Sequence, residues 1–497
     1  MNTVLILTDT QPTRLVGAYG SEWTATPNLD RLAAEGVRLD RAYTPCPLCT
    51  PARGAIFTGQ VPGTNGAWAN ELTPGTAVPQ MGTVLRERGI RAGYTGKWHL
   101  DGAGYHGGGK PDGGFEPDWW YDGSNYLADV GTERHRSFVQ AITGGIGAGD
   151  GWTAEKAEQA RQLDPAKALR DAGCTEERVW GHRVVDRAID FLERVGGEPF
   201  VLVVSLDEPH GPFVTPPEFQ EMFTDRNIPE PPNYRARLDG KPSLQKRQAE
   251  EYPLPAWEDF LEWRLRHVRC NAYVDHEIGR VMEAVERLHG DSTAVIATSD
   301  HGDQMGSHGL LSKGAMMYEE STRVPFIARL PGGPCGAVCR QPVSLIDLFP
   351  TILDLADEPV PSTHHGASLA PLLRDPETPS AADRHVHIQF NRFGLYHEGY
   401  GAFYPIRCVT NHRYKLAVNL LDDRDELYDL REDPQERTNL IDEPGLAEVR
   451  AELHDAILAE MHRTADPFRG PHWGLRPWRE VRPRAWFYGL EKGPSTR

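Results

Sequence analysis

Polar and apolar positions fall in blocks along this chain, and the block lengths separate strands from helices. Residues 4–7, 200–206 and 293–298 are short runs of β-branched or apolar side chains, the character of parallel strands buried on both faces. Each ends in polar residues: Asp9-Thr10-Gln11, Asp207-Glu208-Pro209-His210 and Asp300-His301-Gly302-Asp303. Thr26-Pro27-Asn28 reads as a helix start, with Leu29, Leu32 and Ala33 on one face and Gly36 as the stop. Residues 81–88 predict a second short helix stopped by Gly89, and 176–195 and 262–288 carry longer amphipathic patterns. Strands alternating with helices predict an α/β fold: a mostly parallel central sheet flanked by helices. In such folds the polar residues just past the carboxyl ends of the strands build the site.

Two stretches break the pattern. Residues 102–175 are rich in Gly, Trp and Tyr with little periodicity, and 208–256 are rich in Pro and charge. Both read as long excursions decorating the sheet, where substrate contacts often reside. A polar, Pro- and Ala-rich segment near 373–384 marks a boundary, giving a larger α/β domain over 1–375 and a smaller α+β domain over 376–497. HVHIQF, YPIRCVT and YKLAVNLL are its expected strands and 446–461 its helix. The tail carries Trp473, Trp478, Trp486, Phe487 and Tyr488 without a regular period, so these aromatics are expected to bury against the chain or a partner.

Composition narrows the partners. Of 497 residues, 71 are acidic and 53 are Lys or Arg, a net charge of −18. That balance argues against nucleic acid and anionic membrane surfaces, which reward clustered cations. No apolar run reaches the roughly 18 residues a membrane span needs. The N-terminus enters MNTVLILTD without a signal-peptide pattern, so a cytoplasmic location is expected. Seven cysteines read as mostly structural, reduced thiols rather than a disulfide or zinc framework.

One cysteine stands apart. In CTPARGAIFTG, Pro51 favours a first helical turn, placing Cys49 at a helix N-terminus where unpaired amides suit an anionic substrate. Arg53 lies one turn on and adds a fixed cation on the same face. Asp9 and Asp300 end separate strands, and carboxylates converging there are costly unless a cation neutralises them.

These elements resemble the formylglycine-dependent (type I) sulfatases of the alkaline-phosphatase-like superfamily. Cys49-x-Pro51-x-Arg53, with Thr58-Gly59 following, resembles the family signature; so do Asp9 with Gly17-Ala18-Tyr19-Gly20, TGKWHL at 95–100, Pro209-His210-x-Pro212-Phe213, and SDHGDQMGSHGLLSKG ending at Gly314. ELYDLREDPQERTNL completes a collinear match over most of the chain.

The resemblance implies hydrolysis of a small-molecule or carbohydrate sulfate ester through formylglycine, made from Cys49 by a formylglycine-generating enzyme. It implies one divalent cation, calcium ahead of manganese or magnesium, held by Asp9, Thr10, Asp300, His301 and position 49. Lys97 and Lys313 would hold sulfate oxygens, Arg53 would orient the diol, His210 with Lys313 would protonate the leaving alcohol, and His99 would deprotonate the remaining hydroxyl. His308 follows as a pocket or supporting residue. Two positions depart from the common pattern: Thr10 where many members carry a second Asp, and His301 where many carry Asn. His301 is shared with choline-sulfatase-like and phosphonate-monoester-hydrolase-like members, so phosphonate monoester or phosphodiester hydrolysis is the first alternative. A catalytically silent binding protein of this fold is the second. His364-His365 and His385-x-His387 read as packing or surface residues. Trp119, Trp120 and Tyr121 form either a platform for a sugar or aryl ring or a plug onto the core.

Overall fold

Three apolar runs form the central strands of the main sheet. In the computed structural model, which describes residues 1–145, 154–225, 227–378, 384–395, 403–422 and 424–479, these runs are β1 (Asn2–Thr8), β5 (Phe200–Ser205) and β6 (Thr293–Ser299). The other strands of this sheet are β2 (Val37–Tyr43), β3 (Arg91–Gly96), β4 (Trp120–Tyr121), β7 (Arg323–Val324), β8 (Phe326–Arg329) and β9 (Ala337–Ser344). The order is β4-β3-β5-β1-β6-β8-β2-β7, with β9 paired to β2. The run β4-β3-β5-β1-β6 is parallel throughout; β8 is antiparallel to both β6 and β2.

Alternate residues of the central strands feed two separate cores. Leu5, Leu7, Val201, Val203 and Ile296 pack on one face. Val4, Ile6, Leu202, Val204 and Val295 pack on the other, against the amphipathic helix Trp180–Arg194 and the long helix Trp257–His289. Burial on both faces is why these strands read as unbroken apolar runs.

The helix Pro27–Ala34 forms as expected, but the Thr26 hydroxyl makes no cap bond; it accepts from the Gly17 amide instead. The 102–175 stretch is more regular than its sequence suggests, containing the helices Gly123–Val130, Thr132–Thr143, Ala154–Gln162 and Pro165–Asp171. The first starts on a reciprocal cap between Asp122 and Asn125. Each is short and buries few apolar residues, which leaves no readable period. Trp120 and Tyr121 lie in strand β4 and are buried; Trp120 stacks on Tyr94 with centroids 5.2 Å apart. Trp119 meets Phe191 edge-on. These aromatics plug the segment onto the core rather than form an open platform.

A second sheet, β10 (Val386–Phe390), β11 (Ile406–Thr410), β12 (Tyr414–Asn419) and β13 (Glu426–Asp429), is antiparallel in sequential order. The helix Ala447–Arg463 covers it. Its other face shares an apolar cluster with Tyr43, Cys46 and Leu48, and the Gln389 backbone N–H donates to the Pro45 carbonyl at 2.8 Å. The C-terminal sheet thus props the segment leading into Cys49. Trp473 is buried, and Trp478 donates its indole N–H to Asp425 at 2.8 Å. Trp486, Phe487 and Tyr488 lie outside the described residues. No described helix is long and apolar enough to cross a membrane.

Candidate active site

Four strands deliver their following residues to one place: Asp9 from β1, Lys97 from β3, Asp207 and His210 from β5, and Asp300 and His301 from β6. The helix Cys49–Thr58 enters from the end of β2, with Cys49 as its first residue and Gly59 at φ 64° closing its C-terminus. All ten residues of this helix are buried.

Arg53 ties the floor of the site together. Its Nε donates to Asp300 Oδ2 at 2.8 Å, and one terminal nitrogen donates to the Lys97 carbonyl at 2.7 Å and Ser205 Oγ at 2.8 Å. The other terminal nitrogen lies 3.5 Å from Asp9 Oδ2. Lys97 Nζ sits 2.7 Å from Asp9 Oδ2 and 3.0 Å from Asp207 Oδ1, and Lys313 Nζ lies 3.7 Å from Asp9 Oδ1. Ligand atoms of Asp9, Cys49, Asp300 and His301 all lie within 4.8 Å of one another. His301 Nε2 lies 3.2 Å from the thiol sulfur.

The Sulfatase family model matches residues 1–358 of this chain. The chain belongs to the sulfatase family. A second model, N-sulphoglucosamine sulphohydrolase, C-terminal, matches residues 306–463. An uncharacterized sulfatase, YidJ, of Escherichia coli (strain K12) is 40% identical over 497 residues, covering 99% of this chain and 94% of its own. A structure solved with D-glucosamine-2-N,6-O-disulfate as substrate superposes with a TM-score of 0.72 at 22% identity, covering 94% of this chain and 98% of that one. The phosphonate monoester hydrolase of Agrobacterium radiobacter gives 0.73 at 22% identity, covering 93% and 96%. This sulfatase is a sulfuric ester hydrolase with the alkaline-phosphatase-like fold.

The buried carboxylates of this site could also hold a cation. Asp9 and Asp300 are fully buried together. Burial opposes the Asp9 charge, but Lys97 and Lys313 outweigh it and hold its carboxyl well below the usual range. Burial and the Asp9 charge push Asp300 up to about 6. Two carboxylates, one of them reluctant to ionise, beside an imidazole and position 49 form a donor set that fits one hard or borderline divalent ion. His301 Nδ1 lies 2.8 Å from the Gly302 carbonyl, which must accept its proton and leaves Nε2 free to face the cluster. Thr10 contributes differently: it stands at φ 60°, and its hydroxyl donates to the Asp9 carbonyl at 2.7 Å.

Cys49 itself is unlike its neighbour. Burial and Asp9 oppose its ionisation, but Lys313, Lys97 and His301 prevail and hold the thiol well below its ordinary value. Cys46, three residues earlier, is pushed up by burial. His99 is buried at φ 60°, its carbonyl accepts from Thr50 Oγ1 at 3.0 Å, and burial lowers its pKa so that it is neutral at neutral pH. His308 lies away from the cluster, stacked 3.7 Å from Tyr318 and 3.0 Å from Asn233 Nδ2. His364 packs on Phe349, and His365 Nδ1 accepts from the Val61 amide. Reasoning from sequence passed over two site residues, Asp207 and Tyr105. The position of Asp207 just beyond a strand end was the available signal; Tyr105, in the Gly-rich stretch, had none.

Proposed function

We propose that the protein hydrolyses a sulfate monoester through formylglycine formed from Cys49, with one divalent cation held by Asp9, Asp300, His301 and position 49, and Thr10 at its edge. The observation that carries this reading is the placement of Cys49 at a buried helix N-terminus facing two carboxylates, an imidazole and two lysines. The cation would polarise the sulfate oxygens, and calcium suits the oxygen-rich donors while His301 accommodates manganese. The hydrate of formylglycine would supply a hydroxyl nucleophile.

The chain's own groups carry the rest. Lys97 and Lys313 offset the negative charge that builds on the sulfate oxygens, and Arg53 holds position 49 and both carboxylates in register. His210 donates a proton to the departing alcohol oxygen; neutral His99 accepts one from the remaining hydroxyl at position 49. The substrate class we favour is a small or carbohydrate sulfate ester, in keeping with the sugar disulfate bound by the structural relative. Maturation would need a formylglycine-generating enzyme.

The deciding experiment is the mass of the tryptic peptide 42–53, which holds both Cys46 and Cys49, after reduction and alkylation. One alkylated cysteine plus one aldehyde supports the reading. Two alkylated cysteines, despite an active converting enzyme, sink it. A second reading, phosphonate monoester or phosphodiester hydrolysis, is favoured by the His301 imidazole in the ligand cluster and by Thr10 in place of a carboxylate. Relative kcat/KM for an aryl sulfate, a phenyl phosphonate monoester and a phosphodiester separates the two.

A further inference from the structure

Tyr105 lies half-buried beyond His99, and its ring faces Lys97, whose Nζ is 3.9 Å from the centroid. Its hydroxyl touches Asp207 Oδ1 and lies 2.9 Å from His210 Nδ1. His210 Nδ1 is also 2.6 Å from the Gly211 carbonyl. The protons in this chain have one consistent arrangement. A carbonyl only accepts, so Nδ1 carries hydrogen. An ionised carboxylate only accepts, so the phenol donates to Asp207 and its oxygen receives the Nδ1–H. His210 Nε2 has no partner among the described residues, and His210 is partly exposed.

We propose that Tyr105 and Asp207 are positioning residues that fix His210 with Nδ1 protonated and Nε2 turned to the leaving-group oxygen. This rests on the reading of His210 as the acid. In its acid form His210 carries a second proton on Nε2, while Nδ1–H stays on the phenol and the Gly211 carbonyl. When the S–O bond breaks, its electron pair stays on the alcohol oxygen and that oxygen takes the Nε2 proton. His210 is left neutral with Nδ1–H in place, and solvent reprotonates it. A fixed tautomer and a nearby carboxylate are what an acid–base histidine needs to act repeatedly. Asp207 Oδ1 also holds Lys97 at 3.0 Å, so replacing Asp207 would disturb the sulfate-binding lysine as well. Tyr105→Phe removes only the phenolic oxygen and keeps the ring beside Lys97.

The test compares wild type and Tyr105→Phe, both with position 49 in the same mature state by peptide mass. The substrates are sulfate esters running from acidic nitrophenols through unactivated phenols to an alkyl alcohol. With the most acidic phenol, kcat should fall no more than about threefold, because that oxygen needs no proton to leave. With the alkyl ester it should fall about 100-fold, with inhibition by inorganic sulfate unchanged. In a His210→Ala background, Tyr105→Phe should add no further loss on any ester. Equal loss across the series, or losses that add in the double variant, would overturn the proposal and leave the sulfatase chemistry standing. A mature wild type inert towards every sulfate ester would overturn both.

Discussion

Cys49 Sγ and His301 Nε2 meet at 3.2 Å across 252 residues of sequence. One comes from a helix entering behind β2, the other from the end of β6. On the proposed reading, their contact would place the reacting atom among the ligands of the cation, so that chemistry and metal affinity would share one wall. Each of the following outcomes follows from that arrangement or from the buried charges around it.

Cys49→Ala should abolish turnover and leave the melting temperature within a few degrees of wild type. The substitution removes one buried atom, and with it a thiol wedged between carboxylates and lysines. Thermal denaturation beside an activity assay decides it. A collapse in stability would mean that Cys49 is chiefly a packing residue.

The chelated protein should gain stability on adding calcium, by about 2.7 kcal/mol at a free concentration 100-fold above Kd. A cation relieves the pressure that Asp9 places on Asp300. Asp300→Asn should erase most of that calcium-dependent shift, which a melting series against calcium concentration would show. Identical shifts in both proteins would place the ion elsewhere.

Arg53→Met should cost about 3–5 kcal/mol, since it strips a buried cation from two buried carboxylates. Urea denaturation of the chelated variant measures this. A change below about 1 kcal/mol would show that water enters the floor and takes over those bonds.

Glu208 offers a pH signature outside the metal cluster. It is buried, its Oε1 accepts the Gly181 amide at 3.0 Å, and Oε2 has no partner. Burial, then the Asp207 charge, pushes its pKa from 4.5 up to about 8. A carboxyl raised on folding contributes stability that is full below its unfolded value and is lost as pH rises through its folded value. Stability should therefore decline between pH 4.5 and 8, by an amount on the order of a few kcal/mol. Glu208→Gln should flatten that decline, with melting at pH 6 and pH 9 as the readout. Parallel curves for the two proteins would contradict it.

The parts of the site on continuous apolar strands were legible in the sequence. Asp9 and Asp300 announce themselves because β1 and β6 are buried on both faces and end abruptly in charge. Cys49 and Arg53 were legible because proline placement and helical spacing are local. By contrast, β2 alternates buried and half-buried positions as VRLDRAY, and β3 reads RAGYTG with little branched content, so neither stands out as a strand. Tyr105 and Asp207 are joined by tertiary packing across 102 positions, and no local pattern records that. Thr10 shows the other limit: its residue type was readable, but the turn of its hydroxyl onto the Asp9 carbonyl was not.

The C-terminal sheet gives the burial of Cys49 a consequence in time. Cys49 is only 2% exposed, and the segment before it is held by strands that begin at Val386. A second enzyme that oxidised this thiol, as the proposed function requires, would have to reach a side chain that the fold buries. The folded chain cannot offer that without peeling β10 away from Pro45. If Cys49 is converted as proposed, the conversion would be expected on the nascent chain, after residue 49 has emerged from the ribosome and before the strands from Val386 onward have closed over it.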